Sequence, residues 1–422
     1  MTDFAQTLTH ELDGLLRSDD LLLERRYPGG APARQPLHTV YVPADEYTRD
    51  LPERWGARAL DALDAHGSDL GRLARLLDLD AGTLEELMPR VRRKLEADPI
   101  EDLRIDFEDG YGNRSDAEED AAVDSAAAEL LAAVEGPGPG PGSFGIRFKS
   151  LERPTRARGI RTLVRWADRL AGTQAGGRGL LVTLPKVLSV AQVEAMVRAC
   201  EALESKHGTA LGPIRFEVQV ETPQSVLGAD GTALVARMIH ASEGRCTGLH
   251  FGTYDYSAAC GIAAEHQSMD HPAADHAKAV MQAAAAGTGV LLSDGSTNIV
   301  PAGSEEQVHR AWAVHARLVR RAFERGYSQG WDLHPAQLPT RYLMAHSFHR
   351  KEFAAAAGRL SSYLGRAATA DRMEEPATAR ALAGCVLRGV QCGAVDPEEV
   401  HAEIGIGIEE LTSLAHRPGP PS

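Results

Sequence analysis

Two carboxylates stand where an alternating run gives way to a loop. In Arg215–Gln224 (RFEVQVETPQ), Phe216, Val218 and Val220 alternate with Glu217, Gln219 and Glu221 until Thr222-Pro223 stops the run. A period of two sends the two sets to opposite faces of a strand. In Gly248–Ala258 (GLHFGTYDYSA), Leu249 and Phe251 alternate with His250 and Gly252 before the chain reaches Thr253-Tyr254-Asp255. Glu221 and Asp255 are therefore expected at strand ends. In a parallel α/β barrel those ends converge on one mouth, where the chemistry sits. Two carboxylates with open positions for water and substrate suit Mg²⁺, which takes few protein ligands and keeps several waters. The alternative is a pair of acids in unrelated surface loops.

Other reactive side chains follow the same alternation. In Leu103–Asp109 (LRIDFED), Arg104, Asp106 and Glu108 share one face and Asp109 follows; Arg147 lies between Ile146 and Phe148; Lys186 closes Gly179–Lys186; Asp332 and His334 lie in Ser328–Pro335. Buried parallel strands usually read as continuous apolar runs. Here one face is polar, and with the apolar face on outer helices the polar face lines a barrel. Buried charges are costly unless they pair or bind something charged. An internal salt-bridge lattice competes with a ligand site as the reason for them. The guanidinium fork of Arg147 suits a planar oxyanion, or it balances Glu108 or Glu217. Lys186 reads as a phosphate or carboxylate contact, or as a structural ion pair. His334 reads as a catalytic group or as a hydrogen-bonded barrel histidine. His266, His271 and His276, with Asp270 and Asp275, have five-residue spacings that put no two histidines on one helix face. They read as a solvated loop entering a helix at Pro272 rather than a zinc site. The chain has no G-x-x-x-x-G-K-[ST] and no G-x-G-x-x-G after a strand, so nucleotide hydrolysis and a dinucleotide cofactor lack support.

The elements that must position these groups alternate. Strands are expected at 38–42, 103–109, 144–149, 179–186, 215–224, 248–258, 289–295 and 328–335. Helices are expected at 3–26, 55–97, 116–134 with Asp116 as cap, 159–171, 189–206, 273–286 and 304–325. The GPGPGPG run at 136–142 is too short to be a domain linker. Eight strands separated by helices predict an α/β fold of the (β/α)8 TIM-barrel class. The expected organisation is an N-terminal helical segment at 1–37, a catalytic barrel at 38–345 with a helical insertion at about 45–100, and a C-terminal helical extension at 346–422.

Bulk properties bound the partners. The 422 residues allow one large core with appendages. A formal net charge of −14 argues against nucleic acid or an anionic membrane as the main partner, though a local cation can still admit an anionic substrate. Five scattered cysteines without a C-x-x-C read as reduced cytosolic thiols, and no signal peptide or spanning run is visible. A cytoplasmic enzyme is expected.

The motifs LRIDFEDG, GIRFK, LLVTLPKV, VQVETPQS, GTYDYSAACG and DLHPAQ occur in an order that resembles the HpcH/HpaI aldolase and citrate lyase β-subunit superfamily over roughly residues 38–345. The resemblance implies Mg²⁺ (or Mn²⁺) held by Glu221 and Asp255, with Arg147 on the substrate carbonyl or carboxylate. It places Asp106, Glu108 and Asp109 among the groups that order water, position Arg147 or move a proton, and leaves the proton-transfer residue open because the aldolase branch has a His where Asp109 stands. It implies C–C bond cleavage or formation next to a carbonyl of a small oxo- or hydroxy-acid, free or as its CoA thioester, and a homo-oligomer. Lys186 and His334 would be further substrate contacts. A malate-synthase-like condensation and a catalytically silent scaffold are the alternatives. The helices at 45–100 and the tail exceed what compact citrate-lyase-type subunits need.

Overall fold

A computed structural model of the chain describes residues 2–29, 34–136, 142–365 and 376–416. Most of the GPGPGPG run and the break before Pro376 lie outside them. After helix α1 (Thr2–Arg26), strand β1 (His38–Pro43) leads through α2 (Leu51–His66), α3 (Leu70–Leu77) and α4 (Ala81–Ala97) to β2 (Asp102–Asp106). Then follow α5 (Asp116–Glu135), β3 (Ser143–Arg147), α6 (Arg156–Leu170), the single turn α7 (Gln174–Gly177), β4 (Leu180–Leu184) and α8 (Val190–His207). Strand β5 (Ile214–Val220) precedes the short α9 (Pro223–Val226) and α10 (Leu234–Ala241); β6 (Cys246–Phe251) precedes α11 (Thr253–Ala259) and α12 (Pro272–Ala285). The last units are β7 (Leu291–Ser293), α13 (Glu305–Glu324), β8 (Gly330–Asp332) and α14 (Leu338–Tyr363), followed by α15 (Pro376–Gln391), α16 (Pro397–Ile404) and α17 (Ile408–His416).

All eight strands pair in parallel in the order β7-β6-β5-β4-β3-β2-β1-β8, and a bridge between Ser293 and Gln329 joins the two ends. The expected (β/α)8 barrel is what the chain forms. Its outward side chains, such as Leu103, Ile105, Phe216, Val218 and Leu249, are fully buried against the helical layer. Helices α2–α4 join the same core through Trp55, Leu63, Leu87 and Val91. Gly56 permits this: a Cβ there would lie 2.3 Å from the Leu95 carbonyl oxygen, so α2 and α4 cross where only glycine fits. The C-terminal helices pack on the second half of α14 around Phe353, Leu360, Val386, Val400 and Leu411.

Three local expectations change. Helix α5 is capped by Ser115, not Asp116: Ser115 and Glu118 form a reciprocal capping box, and Asp116 pairs with Arg158 on α6. Thr253–Ala258 is not strand but the opening of α11, which places Asp255 in the first turn of a helix. Asp332 does not line the barrel. On the three-residue β8 it is Trp331 that faces inward, against Tyr41 and His250, while Asp332 turns to the helical layer and binds His38, His315 and Arg341.

Candidate active site

The polar interior is built in tiers. Near the N-terminal end, the fully buried Arg104 guanidinium makes two bonds to Glu217, at 3.1 and 2.6 Å, and one to Asp102 at 2.6 Å. Thr39 and Gln329 close the tier around Asp102, and Thr183 and His250 around Glu217. Burial opposes the charge on Arg104, but Asp102 and Glu217 more than offset it and raise its pKa; burial likewise opposes ionisation of Glu217, yet Arg104 and His250 hold it well below the usual carboxylate range. This tier is the internal lattice. It takes Arg104 and Glu217 and leaves Arg147 to the tier above.

At the C-terminal mouth the remaining acids converge. Arg147, at the end of β3, gives Nε and Nη2 to Asp106 at 2.7 and 2.5 Å, and its Nη1 lies 3.4 Å from Glu108. Its guanidinium also sits over the Tyr41 ring. Asp106 in turn accepts from the backbone N–H groups of Glu108 and Gly110, which fixes the β2–α5 turn. The Lys186 ammonium reaches Glu108 at 2.5 Å, Asp109 at 2.6 Å and Asp255 at 3.6 Å. Lys186 has φ of 50°, a left-handed conformation unusual for a side chain of this kind. That conformation accompanies a backbone N–H aimed at Glu221, 2.7 Å from its Oε1. Arg147, Asp106, Glu108, Asp109, Lys186, Glu221 and Asp255 are thus one connected group drawn from β2, β3, β4, β5 and α11.

Crowding sets their proton affinities. Burial first, then the nearby Glu108 and Asp255 carboxylates, push Glu221 up to about 8. Glu108 is raised by burial and by Asp109, against the pull of Arg147 and Lys186. Burial opposes ionisation of Asp109, but the Lys186 hydrogen bond outweighs it and lowers the pKa. Burial opposes the charge on Lys186 too, and Glu108 and Asp109 reverse that and keep it protonated.

The Glu221 side chain lies against β6 where Gly252 leaves a space: a Cβ there would sit 2.4 Å from Glu221 Cβ and 2.6 Å from its Oε2. Among the described residues no three His, Cys, Asp or Glu side chains are preassembled as a metal cage. The buried Glu221 carboxyl, seated against Gly252 with the Asp255 carboxylate near enough to raise its proton affinity, fits a hard cation that takes few protein ligands and keeps several waters. His334 stands outside the group. It caps the turn at Pro335–Gln337 through Nδ1 and lies 3.4 Å from Arg58 of α2, with its pKa lowered by burial and by Arg58.

One group escaped the sequence reading. Both amide atoms of the fully buried Gln219 lack a protein hydrogen-bond partner, as do Trp331 Nε1, Thr253 Oγ1 and Ser257 Oγ. The signal for Gln219 was present, since it shares the inward face of β5 with Glu217 and Glu221. A separate cavity of about 570 Å³ opens at the N-terminal end, lined by Arg34, Arg104, Arg178, Arg215, Glu217 and His250, and it touches none of the mouth residues.

Residues 16–418 match the family described as "Domain of unknown function (DUF6986)". The chain belongs to the DUF6986 family. No curated protein matches it. Among solved structures, this DUF6986 protein is similar to CitE from Mycobacterium tuberculosis in complex with magnesium, acetoacetate and coenzyme A. That likeness has 18% identity and a TM-score of 0.50, covering 86% of this chain and 99% of that one. It is similar to the citrate lyase beta subunit of M. tuberculosis complexed with oxaloacetate and magnesium at 19% identity and a TM-score of 0.44, over 74% and 98% of the two chains. The Haloferax volcanii malate synthase magnesium/glyoxylate complex gives 14% and 0.46, over 90% and 98%. At these identities the likeness to CitE speaks for a shared barrel fold.

Proposed function

We propose that this DUF6986 protein is a divalent-metal-dependent carbon–carbon lyase or aldolase acting on a small oxo- or hydroxy-acid, free or as its CoA thioester. The observation that carries the reading is the mouth group itself: Lys186 gives its backbone N–H to Glu221 and brings its ammonium to Asp255 and Glu108, Glu108 meets Arg147, and the Gln219 amide two residues before Glu221 on β5 is unpartnered. Glu221 and Asp255 would hold Mg²⁺, with Mn²⁺ an equally fitting ion. When bound, the ion supplies Lewis acidity toward a substrate carbonyl. The chain's own residues do the rest. Arg147 has committed Nε and Nη2 to Asp106, which leaves Nη1 as the donor it can turn to a substrate carboxylate. Asp106 is thereby a positioning residue that locks the guanidinium plane. The Gln219 amide N–H donates to a second substrate oxygen. Glu108, whose pKa burial and Asp109 raise, takes and returns the proton at the carbon next to the carbonyl. Asp109, more exposed, holds the Lys186 ammonium beside Glu108. Magnesium, small oxo-acids and coenzyme A named with the similar proteins agree with this reading.

A screen of oxo-acids, hydroxy-acids and their CoA thioesters with Mg²⁺ or Mn²⁺, read out as pyruvate, oxaloacetate, glyoxylate or acetyl-CoA, tests it. Metal-dependent turnover that Glu221→Gln abolishes is expected. Absence of turnover together with absence of metal binding would leave the barrel a scaffold.

A further inference from the structure

We infer that α1 is a dimerisation arm that pairs antiparallel with the same helix of a second copy of this chain. Its 25 residues present Leu8, Leu12, Leu15 and Leu16 to solvent at 41–72% exposure, with Phe4 at 75%. An isolated helix is marginal in water, and helices in proteins owe most of their stability to packing of an apolar face. Among the described residues nothing covers that face.

The spacing says what covers it. Taken as heptads, Leu8, Leu15 and Leu22 fall at d and Ala5, Leu12, Asp19 and Arg26 at a, the seam of a two-helix coiled coil. A parallel pair would set Asp19 against the partner's Asp19 and leave Glu11 facing uncharged residues. An antiparallel pair sets Leu12 on the partner's Leu22, Leu8 on the apolar stem of the partner's Arg26 and Leu15 beside the partner's Asp19, so that the two Asp19 carboxylates no longer face each other. It also brings Glu11 beside the partner's Arg25, twice by symmetry. Neither Glu11 nor Arg25 has an ion pair within its own chain among the described residues. A membrane surface is a poor alternative, because α1 carries six acids (Asp3, Glu11, Asp13, Asp19, Asp20, Glu24) against three arginines.

Sedimentation velocity on the full chain tests the arm. The wild type should be a dimer at tens of micromolar, and Leu12→Asp/Leu15→Asp should be monomeric with the barrel's thermal transition unchanged. Glu11→Arg and Arg25→Glu should each raise the dimer Kd several-fold, and the two together should restore it. A monomeric wild type, or a dimer that survives Leu12→Asp/Leu15→Asp, would overturn the proposal. A double charge swap no better than the single ones would overturn the antiparallel register.

Discussion

Glu221 is a carboxyl that holds its proton at neutral pH, because burial and two acid neighbours push its pKa to about 8. A cation that binds there must first displace the proton. Metal affinity should therefore rise as pH climbs toward about 8 and level off above it, with about one proton released per ion at pH 7. Calorimetry in buffers of differing ionisation enthalpy measures that release, and Glu221→Gln should remove both binding and release. A pH-independent affinity would show that Glu221 is not a ligand. Arg147 carries a separate expectation. Its two bonds to Asp106 and its place over Tyr41 use a planar fork that lysine lacks. Arg147→Lys keeps the charge, so folding should survive, but the donor aimed at a substrate oxyanion is lost. Turnover on the substrate found by screening should fall roughly 10²–10³-fold, the usual effect of one oxyanion-directed donor. Turnover and melting both unchanged would make Arg147 a purely structural partner of Asp106.

Elements carry these groups to one mouth, and the sequence showed the carriers better than their ends. Period-two alternation exposed β2, β3 and β5 because each has an apolar outer face and a polar inner one, so Asp106, Arg147 and Glu221 were legible, while Gln219, uncharged on the same inner face, was passed over. Two readings failed where that logic has no purchase. TYDYSA after Gly252 has the aromatic content of a strand, yet it begins α11, since its register follows from the β6 end rather than from propensity. Asp332 sits on a strand of three residues, too short for a period, and its partners His38, His315 and Arg341 arrive from β1, α13 and α14. Contacts of that range leave no local trace. The junction at β6 yields a test. Gly252→Ala would drive a Cβ to 2.4 Å from Glu221 Cβ, so Glu221 must move. The barrel should fold, and metal affinity should drop about 10–100-fold, as when a support of a ligand is lost. Titration calorimetry on a variant of native circular dichroism reads this directly, and unchanged affinity would show that the close contact at Gly252 does not place the ligand.

At the scale of the whole molecule, α14 is the hinge between barrel and C-terminal helices, and it buries two histidines there. His349 lies against Phe323 of α13 and close to Gly389 of α15, with neither ring nitrogen partnered; His346 donates one bond from Nε2 to the Cys392 carbonyl. Burial drives His349 down to about 3 and His346 to about 4. Unfolded histidine titrates near 6.5, so both rings are neutral in both states above that pH and contribute fully to a folded state that tolerates them only uncharged. As pH falls below about 6.5 the unfolded chain takes up protons that the folded one refuses. Stability then declines by about 1.4 kcal/mol per pH unit per histidine, until the folded pKa values are reached. Urea denaturation followed at pH 7 and pH 5 should show the loss. His349→Leu should lessen it, because a ring without hydrogen bonds can be replaced by an apolar group of similar size at little cost. Equal pH dependence in the variant and the wild type would mean that acid acts elsewhere, on the carboxylate pairs of the barrel rather than on the α13–α14–α15 junction.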